Sequence, residues 1–480
     1  MLILPKRLYG GVRFIDWPSY ANVDRLDRGS MPLIDIMHET GILVDRPHFD
    51  DLATKLQYQK ATFQEEARIL VGGHAPTLKL SSPQQVARVL YEVLGLVPPG
   101  KPKRTQDGLF STDDDVLSSM TKMHPFVKTV INFREVNTLL NNFVLPIPRM
   151  VQRDGRLRTI FKNTRTATGR LSSGDRSQGL VNLQNIPTRG EWGTLIRNGF
   201  VCGKGNVLVS MDLSQVEMRI AAHMAAYYFK DHAMAQIFWN GWDIHDRTAA
   251  AMFKLAIERI NELRAKVEEE EKTKTKILTP EEKAEWTRFK RDQRAPAKNL
   301  GFGILFGLTA EGLQRNILAE GGAYFTVEEC QEYIDKWFAA YPGIKQWMEM
   351  TFARLRQYGM CWDLFGRTTL KPAVRSTLRD KVSEAERESG NMPIQATAQG
   401  LIKLAMAEIT PVVLYFQSFP SSTCLPLIQI HDELVFECSK DIADDLAYMG
   451  RQIMCNADRG QLLVPIDSSA SKAERWGEAK

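Results

Sequence analysis

Two segments of the chain alternate between apolar and polar residues in the way that half-buried β-strands do. Residues 207–211 lead to Asp212, and residues 428–430 lead to Asp432. A carboxylate at the end of a buried strand is costly unless a positive charge lies beside it. For either segment taken alone, a simple turn carboxylate is the better interpretation. Taken together, the two aspartates favour a cation site.

Apolar positions of helical period occupy much of the remaining chain. Residues 31–97 predict helices, and the Pro/Gly/basic segment 97–108 predicts a loop. Helices resume from Ser111 to Pro146, after which short strands and turns are expected. Long helices are predicted over 215–358, and the last hundred residues are mixed.

One charged segment differs from the rest of the chain. Residues 257–292 are dense in Glu and Lys and have few apolar positions. Such a composition predicts a solvated helical hairpin or a mobile insertion. No catalytic role is assigned to it.

Composition sets broad limits on the class of protein. The 480 residues, 44% apolar and 25% charged, suffice for about three domain-sized units of an ordinary globular protein. The net charge of +5 permits a nucleic-acid partner without requiring one. The six cysteines show no C-x-x-C spacing and predict reduced thiols. With an N-terminal apolar run too short for a signal peptide and no stretch of membrane-spanning length, a cytoplasmic protein is expected.

A stripe of four side chains marks one predicted helix. Arg294, Lys298, Phe302 and Phe306 recur every four residues, which places them along one slowly winding face. Two cations followed by two aromatic rings can hold a triphosphate at one end and a base at the other. An amphipathic helix with a basic end is the alternative for this segment alone.

Local helix signals near these motifs lead to two further predictions. Pro296 removes a backbone donor, so the helix is expected to begin near Asp292 or to be kinked there. Ser214 and Glu217 have the spacing of a capping box, which predicts that Glu217 closes the first turn of the helix after Asp212.

Eight short motifs occur in a fixed order along the chain. They are "TATGRLSS" (166–173), "NLQNIP" (182–187), "DLSQVEMR" (212–219), "DIH" (243–245), "RAPAKNLGFGILFG" (294–307), "LFGR" (364–367), "NMPIQATAQGLIKLAM" (391–406) and "QIHDELVFE" (429–437). The ordered set resembles the polymerase module of family A DNA polymerases, the bacterial DNA polymerase I type. The resemblance runs from about Pro32 to near the C-terminus and implies an α+β, right-hand fold with thumb, palm and fingers.

The resemblance also implies a division of the chain. The expected units are an N-terminal extension (1–30), a helical thumb (31–150), a first palm part (151–225), fingers that include the charged insertion 257–292 (226–360), and a second palm part with an antiparallel sheet (361–480). The residues before the thumb are too few for a nuclease domain, so no proofreading exonuclease is expected.

The catalytic residues follow from the same resemblance. Asp212 and Asp432 are similar to the two metal-binding aspartates, with the backbone carbonyl of Leu213 as a third ligand. Two Mg²⁺ ions, for which Mn²⁺ can substitute, would activate the primer 3′-hydroxyl and hold the triphosphate. Lys298 is the candidate for protonating the leaving pyrophosphate.

The remaining site residues are carried over in two groups. The predicted dNTP-binding residues are Gln215, Glu217, His245, Arg294, Lys298, Phe302 and Phe306. The predicted DNA-binding residues are Arg170, Asn182, Gln184, Asn185, Arg367, Arg387, Asn391, Gln395 and His431. Thr138 stands where the family often has a DNA-contacting lysine, which implies low processivity without a partner, so a processivity or replisome partner is expected. Phe306 stands where the family usually has a tyrosine; its ring can still stack on the template base, but the hydrogen bond of the hydroxyl is lost, which implies altered fidelity.

The resemblance implies a monomeric enzyme that adds dNTPs to the primer end of a primer–template DNA, in replication or repair and without a membrane partner. One alternative is an RNA polymerase or reverse transcriptase on a similar palm. Glu217 argues against ribonucleotides, because the matching glutamate blocks a 2′-hydroxyl, but an RNA template stays open. Another alternative is a catalytically inactive DNA-binding scaffold, which retention of Asp212, Asp432, Arg294 and Lys298 argues against.

Overall fold

The structure is a computed structural model. It describes residues 11–72, 77–99, 104–105, 108–187, 190–305, 307–319 and 325–479. Helices dominate, and the strands gather in small antiparallel sheets.

The α-helices in the described residues, in chain order, have the following bounds. They are α1 (Tyr20–Thr40), α2 (Arg46–Val71), α3 (Pro83–Arg88), α4 (Asp114–Ser119), α5 (Pro125–Leu139), α6 (Pro146–Met150), α7 (Gly190–Arg197), α8 (Val216–Phe229), α9 (Ala233–Trp239), α10 (Ile244–Phe253), α11 (Ile257–Thr273), α12 (Pro280–Phe289), α13 (Ala295–Leu305), α14 (Ala310–Ala319), α15 (Val327–Ala340), α16 (Pro342–Tyr358), α17 (Arg379–Gln417) and α18 (Ala443–Cys455). Three π-helical turns, Val89–Val93, Leu140–Val144 and Lys290–Arg294, continue α3, α5 and α12.

The strands are β1 (Ile42–Val44), β2 (Arg156–Leu157), β3 (Phe161–Lys162), β4 (Ser172–Ser173), β5 (Phe200–Val201), β6 (Asn206–Leu213), β7 (Met360–Trp362), β8 (Thr368–Leu370), β9 (Cys424–Ile430), β10 (Glu433–Ser439) and β11 (Ser468–Ala473). The largest sheet has the order β11-β6-β10-β9, and all its pairs are antiparallel. A second sheet has the order β2-β1-β5, and β3-β4 and β7-β8 form two-stranded ribbons.

Strand β6 is buried more completely than a half-exposed strand. Met211 packs against α18, where Gly450 leaves room for its sulfur. Ser210, on the opposite face, is also buried and donates a hydrogen bond to Glu433 at 2.7 Å. The alternation in the sequence identified the strand, but the polar position is covered because the sheet packs on both faces.

Helix α17 runs through the core for 39 residues. It is long and apolar enough for a membrane span by length and composition alone, so the expectation that no stretch reaches this length is wrong. However, 78% of its apolar window is buried inside the protein. A core helix that packs against other helices needs apolar residues on most of its surface, which accounts for this composition.

Two hydrophobic clusters divide the molecule. The larger cluster joins the main sheet to α1, α8, α13 and α17. A second cluster, which we call the outer cluster, contains Ala67, Val71, Leu78, Leu80, Val86, Val89, Leu90, Leu117, Met120, Phe126, Val127, Val130 and Phe133. Helix α2 spans both, because Phe49 packs in the larger cluster and Ala67 in the outer one.

Three of the predicted unit boundaries fall inside single elements. The boundary at residues 30 and 31 lies within α1, that at 225 and 226 within α8, and that at 360 and 361 within β7. Helix α1 packs along α17, so residues 20–30 belong to the folded body together with the residues that follow them. Composition does not show whether residue 30 ends a unit, because residues 30 and 31 belong to the same helix.

The charged segment 257–292 forms the helical hairpin of α11 and α12. Leu263 and Trp286, one on each helix, are buried in the larger cluster. Of the two predicted alternatives, a solvated helical hairpin and a mobile insertion, the segment forms the hairpin. One face of this hairpin is packed against the protein and is not solvated. The sparse apolar positions suffice because they all lie on that face.

Candidate active site

Asp212 and Asp432 lie side by side at one end of the main sheet. Asp212 is the next-to-last residue of β6, and it lies opposite Glu433 in the register with β10. Asp432 occupies the two-residue turn between β9 and β10, where His431 has a left-handed φ of 54°. The Leu213 N–H donates to the Asp432 carbonyl at 3.2 Å. The fold thus brings the two predicted aspartates together.

The electrostatic setting of this pair is unfavourable to two negative charges. Burial raises the pKa of Asp212 to about 8, and the charges of Asp432 and Glu433 act in the same direction. Burial also raises the pKa of Asp432 to about 6. A cation between the two carboxylates would favour the ionised form of both.

The donor set at this end of the sheet suits a hard divalent cation. Carboxylate and carbonyl oxygens are the ligands that Mg²⁺ prefers. Among the described residues, no group of three or more His, Cys, Asp or Glu side chains has an arrangement that could hold a metal ion. A cation would thus be held by the carboxylates of Asp212 and Asp432, completed by backbone carbonyl and water.

A third carboxylate, Glu433, lies beside the pair and was missed in the sequence. It accepts hydrogen bonds from Ser210 at 2.7 Å and from Trp476 Nε1 at 3.0 Å. Arg197 lies 3.5 Å away and stacks on the Trp476 ring at 4.1 Å. The only feature of the sequence that could have identified Glu433 is its position directly after Asp432. No feature of the sequence indicated that Arg197 lies near the site.

The predicted capping box at Ser214 and Glu217 is wrong. Helix α8 is capped by Gln215, which has a φ of 54° and no side-chain capping bond. Glu217 instead accepts a hydrogen bond from Arg170 Nη2 at 2.9 Å. A partner from a distant segment of the chain outcompetes the local one, and it links two of the predicted site residues.

The helix that carries the stripe does not begin near Asp292. It continues from α12 through the π-helical turn into α13, and the Ala295 N–H donates to the Lys290 carbonyl five residues earlier. This wider turn directly precedes Pro296. Proline has no N–H to donate and its ring crowds the preceding turn, and both are tolerated where the backbone hydrogen bonds already follow the wider π-helical spacing. A π-helical turn leaves no clear signal in the sequence.

Arg294 is bound between two aspartates. Its Nη2 donates to Asp243 at 2.8 Å and its Nε to Asp246 at 2.7 Å. Although burial raises the pKa of Asp243, the charges of Arg294 and Arg264 hold that pKa below its ordinary value. Neither aspartate was among the predicted site residues, although Asp243 is the first residue of the "DIH" motif.

His245 and Phe302 contact each other in the same region. Their ring centroids are 5.3 Å apart, and His245 is 3% exposed. Burial lowers the pKa of His245 to about 4, so its imidazole is neutral at pH 7. Its Nδ1 has no hydrogen-bond partner among the described residues. Lys298 lies half-buried on α13, and the prediction for Phe306 lies outside the described residues.

Three of the predicted DNA-binding residues form a row on α17. Arg387, Asn391 and Gln395 are spaced by four residues and therefore share one face of the helix. Gln399 continues the row and donates to the His431 carbonyl at 3.1 Å. The row thus leads directly to the turn that carries Asp432. The same four-residue spacing could have identified Gln399.

The "NLQNIP" residues differ in their exposure. Asn182 accepts a hydrogen bond from Ser173 Oγ at 2.8 Å. Gln184 is 7% exposed and donates to the Gln429 carbonyl at 3.1 Å. Asn185 is exposed. The burial of Gln184 ties this segment to β9 and places Asn185 at the surface.

Arg367 lies against Gly169, next to the predicted DNA-binding residue Arg170, and it also binds an aspartate of α1. Its Nη2 pairs with Asp27 of α1 at 2.6 Å, and its side chain is 11% exposed. Lys403 pairs with the same carboxylate at 2.6 Å. The geometry indicates a structural role in joining α1 to α17, which local sequence does not show because Asp27 is distant in the chain.

The fold and the site together define a class of protein. A small antiparallel sheet with two adjacent aspartates, a helix with Arg294 and Lys298, and helical units around them are the architecture of a right-hand polymerase. The chain belongs to DNA polymerase family A, whose model matches residues 46–278 and 272–478. The predicted fold class and family are confirmed.

Individual relatives agree with this assignment. The chain is 33% identical over 445 residues to "DNA polymerase I, thermostable" of Thermus thermophilus, covering 92% of this chain and 47% of that protein. It is 32% identical over 458 residues to DNA polymerase I of Deinococcus radiodurans, covering 95% of this chain and 42% of that protein. The chain thus spans about half the length of the curated relatives that it matches.

A solved structure is also similar. It is the POL domain of Pol1 from M. smegmatis in complex with DNA primer-template and dNTP, with a TM-score of 0.76 and 29% identity. The match covers 95% of this chain and 73% of that one. The similarity therefore extends over nearly the whole chain and not only over the motifs.

Proposed function

We propose that this chain catalyses the template-directed addition of dNTPs to the 3′-end of a DNA primer. The observation that carries the proposal is the adjacency of Asp212 and Asp432, two half-buried carboxylates with raised pKa values at the end of the main sheet. The names of the DNA polymerase I relatives and the primer-template and dNTP in the similar structure support it.

Two divalent cations, Mg²⁺ or in its place Mn²⁺, fit the donor set of Asp212, Asp432 and the Leu213 carbonyl. When bound, such ions supply Lewis-acid stabilisation of the transferring phosphate and a more acidic primer hydroxyl. The protein's part is to hold the two carboxylates rigidly on β6 and on the tight turn before β10.

The triphosphate is assigned to the basic face of α13. Arg294 and Lys298 bind its oxygens, and Lys298 also donates a proton to the leaving pyrophosphate. His245, neutral at pH 7, acts as a hydrogen-bond donor and not as a cation. Phe302 packs against the incoming nucleotide, and Gln215 lies at the start of α8 near Asp212.

Selection of deoxyribose is assigned to Glu217. Arg170 holds its carboxylate at 2.9 Å, so the side chain has a fixed position from which it can exclude a 2′-hydroxyl. Burial raises the pKa of Glu217, whereas the charge of Arg170 lowers it.

The duplex is assigned to the row on α17 and the segments around it. The contacting residues are Arg170, Asn182, Asn185, Arg387, Asn391, Gln395 and His431. Amide and guanidinium donors reach the acceptors that every base pair presents in the minor groove, so they test pair geometry without reading sequence. Gln184 and Arg367, bound within the protein, support this surface and do not contact DNA in the proposal.

A primer-extension assay with Mg²⁺ tests the proposal and its alternatives. We expect extension of a DNA primer on a DNA template with dNTPs and not with NTPs; the same assay on an RNA template measures reverse transcription. Asp432→Asn is expected to reduce extension to background and leave duplex binding intact. Asp441→Asn, the same change at an exposed aspartate just after β10, is the matched control.

The outcomes separate the candidates. Near-normal extension by Asp432→Asn contradicts the assigned role of this residue. Duplex binding by the unmodified protein without extension on either template favours the inactive scaffold.

A further inference from the structure

Helix α11 of the hairpin contacts the aspartates that bind Arg294 through its own Arg264. Arg264 of α11 donates from Nε to Asp246 Oδ2 at 2.6 Å. The other oxygen of the same carboxylate accepts from Arg294 Nε at 2.7 Å. The Asp246 side chain is 3% exposed. A buried carboxylate therefore bridges the hairpin and the site.

Asp243 completes the arrangement. It pairs with Arg294 at 2.8 Å and lies 3.5 Å from Arg264 Nη2. Its second oxygen accepts the backbone N–H groups of His245 at 2.8 Å and Asp246 at 3.0 Å, as the N-cap of α10. We call Asp243, Asp246, Arg264 and Arg294 the charge quartet. Two anions and two cations balance, and the N-cap fixes the position of one anion.

The hairpin holds Arg264 in place. Its guanidinium lies over the Trp286 ring of α12 at 5.4 Å, and Leu263 beside it is buried. Arg259, on the same helix, pairs with Glu262 at 2.9 Å and with Glu285 at 2.8 Å. Both of these ion pairs of Arg259 lie within the hairpin, whereas Arg264 connects the hairpin to α10.

We propose that Arg264 is a positioning residue for triphosphate binding, acting through Asp243 and Asp246 on Arg294. Arg264 supplies the second positive charge for the two aspartates, so Arg294 can bind a phosphate oxygen without leaving two buried carboxylates unpaired. The inference rests on the proposed function, because it assumes that Arg294 binds the triphosphate of the incoming nucleotide.

The energetic reason is the cost of a buried charge without a partner. Removing one member of a buried ionic network leaves an uncompensated charge, which is strongly unfavourable. Without Arg264, both aspartates depend on Arg294 alone and hold it more tightly. A triphosphate must then compete against two carboxylates for the same guanidinium, and its affinity falls.

Single-nucleotide incorporation by the full chain tests this proposal. For Arg264→Ala we expect the KM for dNTP to rise about tenfold with kcat within about twofold of the unmodified protein, because binding and not chemistry is affected. Arg264→Lys keeps a charge and is expected to restore part of the affinity. Arg259→Ala is the matched control, since it removes an arginine from the same helix and is expected to change KM by less than about twofold.

A double-mutant cycle with Asp246→Asn separates positioning from general stability. With a neutral amide at position 246, only one buried carboxylate remains, so adding Arg264→Ala is expected to raise KM by less than about twofold further. If Arg264 had a purely structural role, Arg264→Ala would raise the KM for dNTP by the same factor with Asp or with Asn at position 246. Thermal melting of each variant sets an assay temperature at which all are folded.

The results distinguish this proposal from the one it rests on. Absence of primer extension by the unmodified protein refutes the proposed function. An active protein in which Arg264→Ala behaves like Arg259→Ala, or in which the two changes at Arg264 and Asp246 are additive, overturns the role of Arg264 alone.

Discussion

Buried ionisable residues of this protein are neutralised in different ways. Lys403, fully buried, pairs with Asp27 at 2.6 Å, and buried Glu437 pairs with Arg156 at 2.7 Å. Asp212 instead has a second carboxylate as its neighbour and a raised pKa. A strongly perturbed carboxylate beside a like charge is what distinguishes a functional site from a structural ion pair.

His223 makes the free energy of unfolding depend on pH. It is 3% exposed, its Nδ1 accepts the Leu463 N–H at 3.1 Å, and burial lowers its pKa to about 4. The folded state therefore binds fewer protons than the unfolded chain, whose histidine has its ordinary pKa near 6.5. The stabilisation is complete above about pH 6.5 and is lost as the pH falls towards 4.

We expect His223→Gln to weaken this pH dependence. Between pH 7 and 5, His223 accounts for a loss on the order of 2 kcal/mol in the free energy of unfolding, which the variant lacks. Denaturant unfolding at the two pH values measures the difference. Equal losses in the variant and the unmodified protein would contradict the assignment.

At the scale of single elements, α17 combines two roles. One face carries the row of Arg387, Asn391 and Gln395, and the rest of the helix packs in the core. Gly400 permits the close approach of Phe365, since a Cβ at that position would lie 2.2 Å from the ring. The path of the row past the active site therefore depends on a small residue in the core of the same helix.

Gly400→Ala is expected to destabilise the protein by about 1–3 kcal/mol, because the added methyl group overpacks the core. Gly301→Ala in α13 is the matched control, since its Cβ would lie 3.7 Å from Met218 Cε, an ordinary contact. A helical Gly→Ala change without a clash is expected to be neutral or stabilising by up to about 1 kcal/mol. Chemical denaturation of both variants measures the contrast, and similar effects at the two positions would refute it.

At the scale of the whole molecule, the larger hydrophobic cluster and the outer cluster meet along α2. Phe63 packs against both of them. The active-site strands β6 and β10 belong to the larger cluster, whereas α5 contributes Phe126 and its neighbours to the outer one. We therefore expect that the outer cluster can open while the catalytic sheet stays folded.

Phe126→Ala tests this division. Loss of a fully buried phenylalanine costs about 3–5 kcal/mol in the cluster that contains it. We expect faster amide hydrogen exchange in α5 and the C-terminal half of α2, and unchanged exchange in β6 and β10. Uniformly faster exchange over the whole chain would show instead that the two clusters unfold as one unit.

Much of this protein was predictable from local patterns. The alternation before Asp212 and Asp432 and the stripe that begins at Arg294 were visible in the sequence, and the fold class and the family followed from the resemblance that the ordered motifs carry. Such features depend on residues close together in the chain, whose periodicity and spacing reflect backbone geometry directly.

Only the tertiary structure decided which partners the site residues have. Glu217 was expected to cap its own helix and instead binds Arg170, and Arg367 binds Asp27 of α1. The connection from Arg264 through Asp246 to Arg294 likewise joins segments whose pairing no local pattern specifies. Buried charges select partners by distance and solvation in the folded state, and those are set by how whole elements pack.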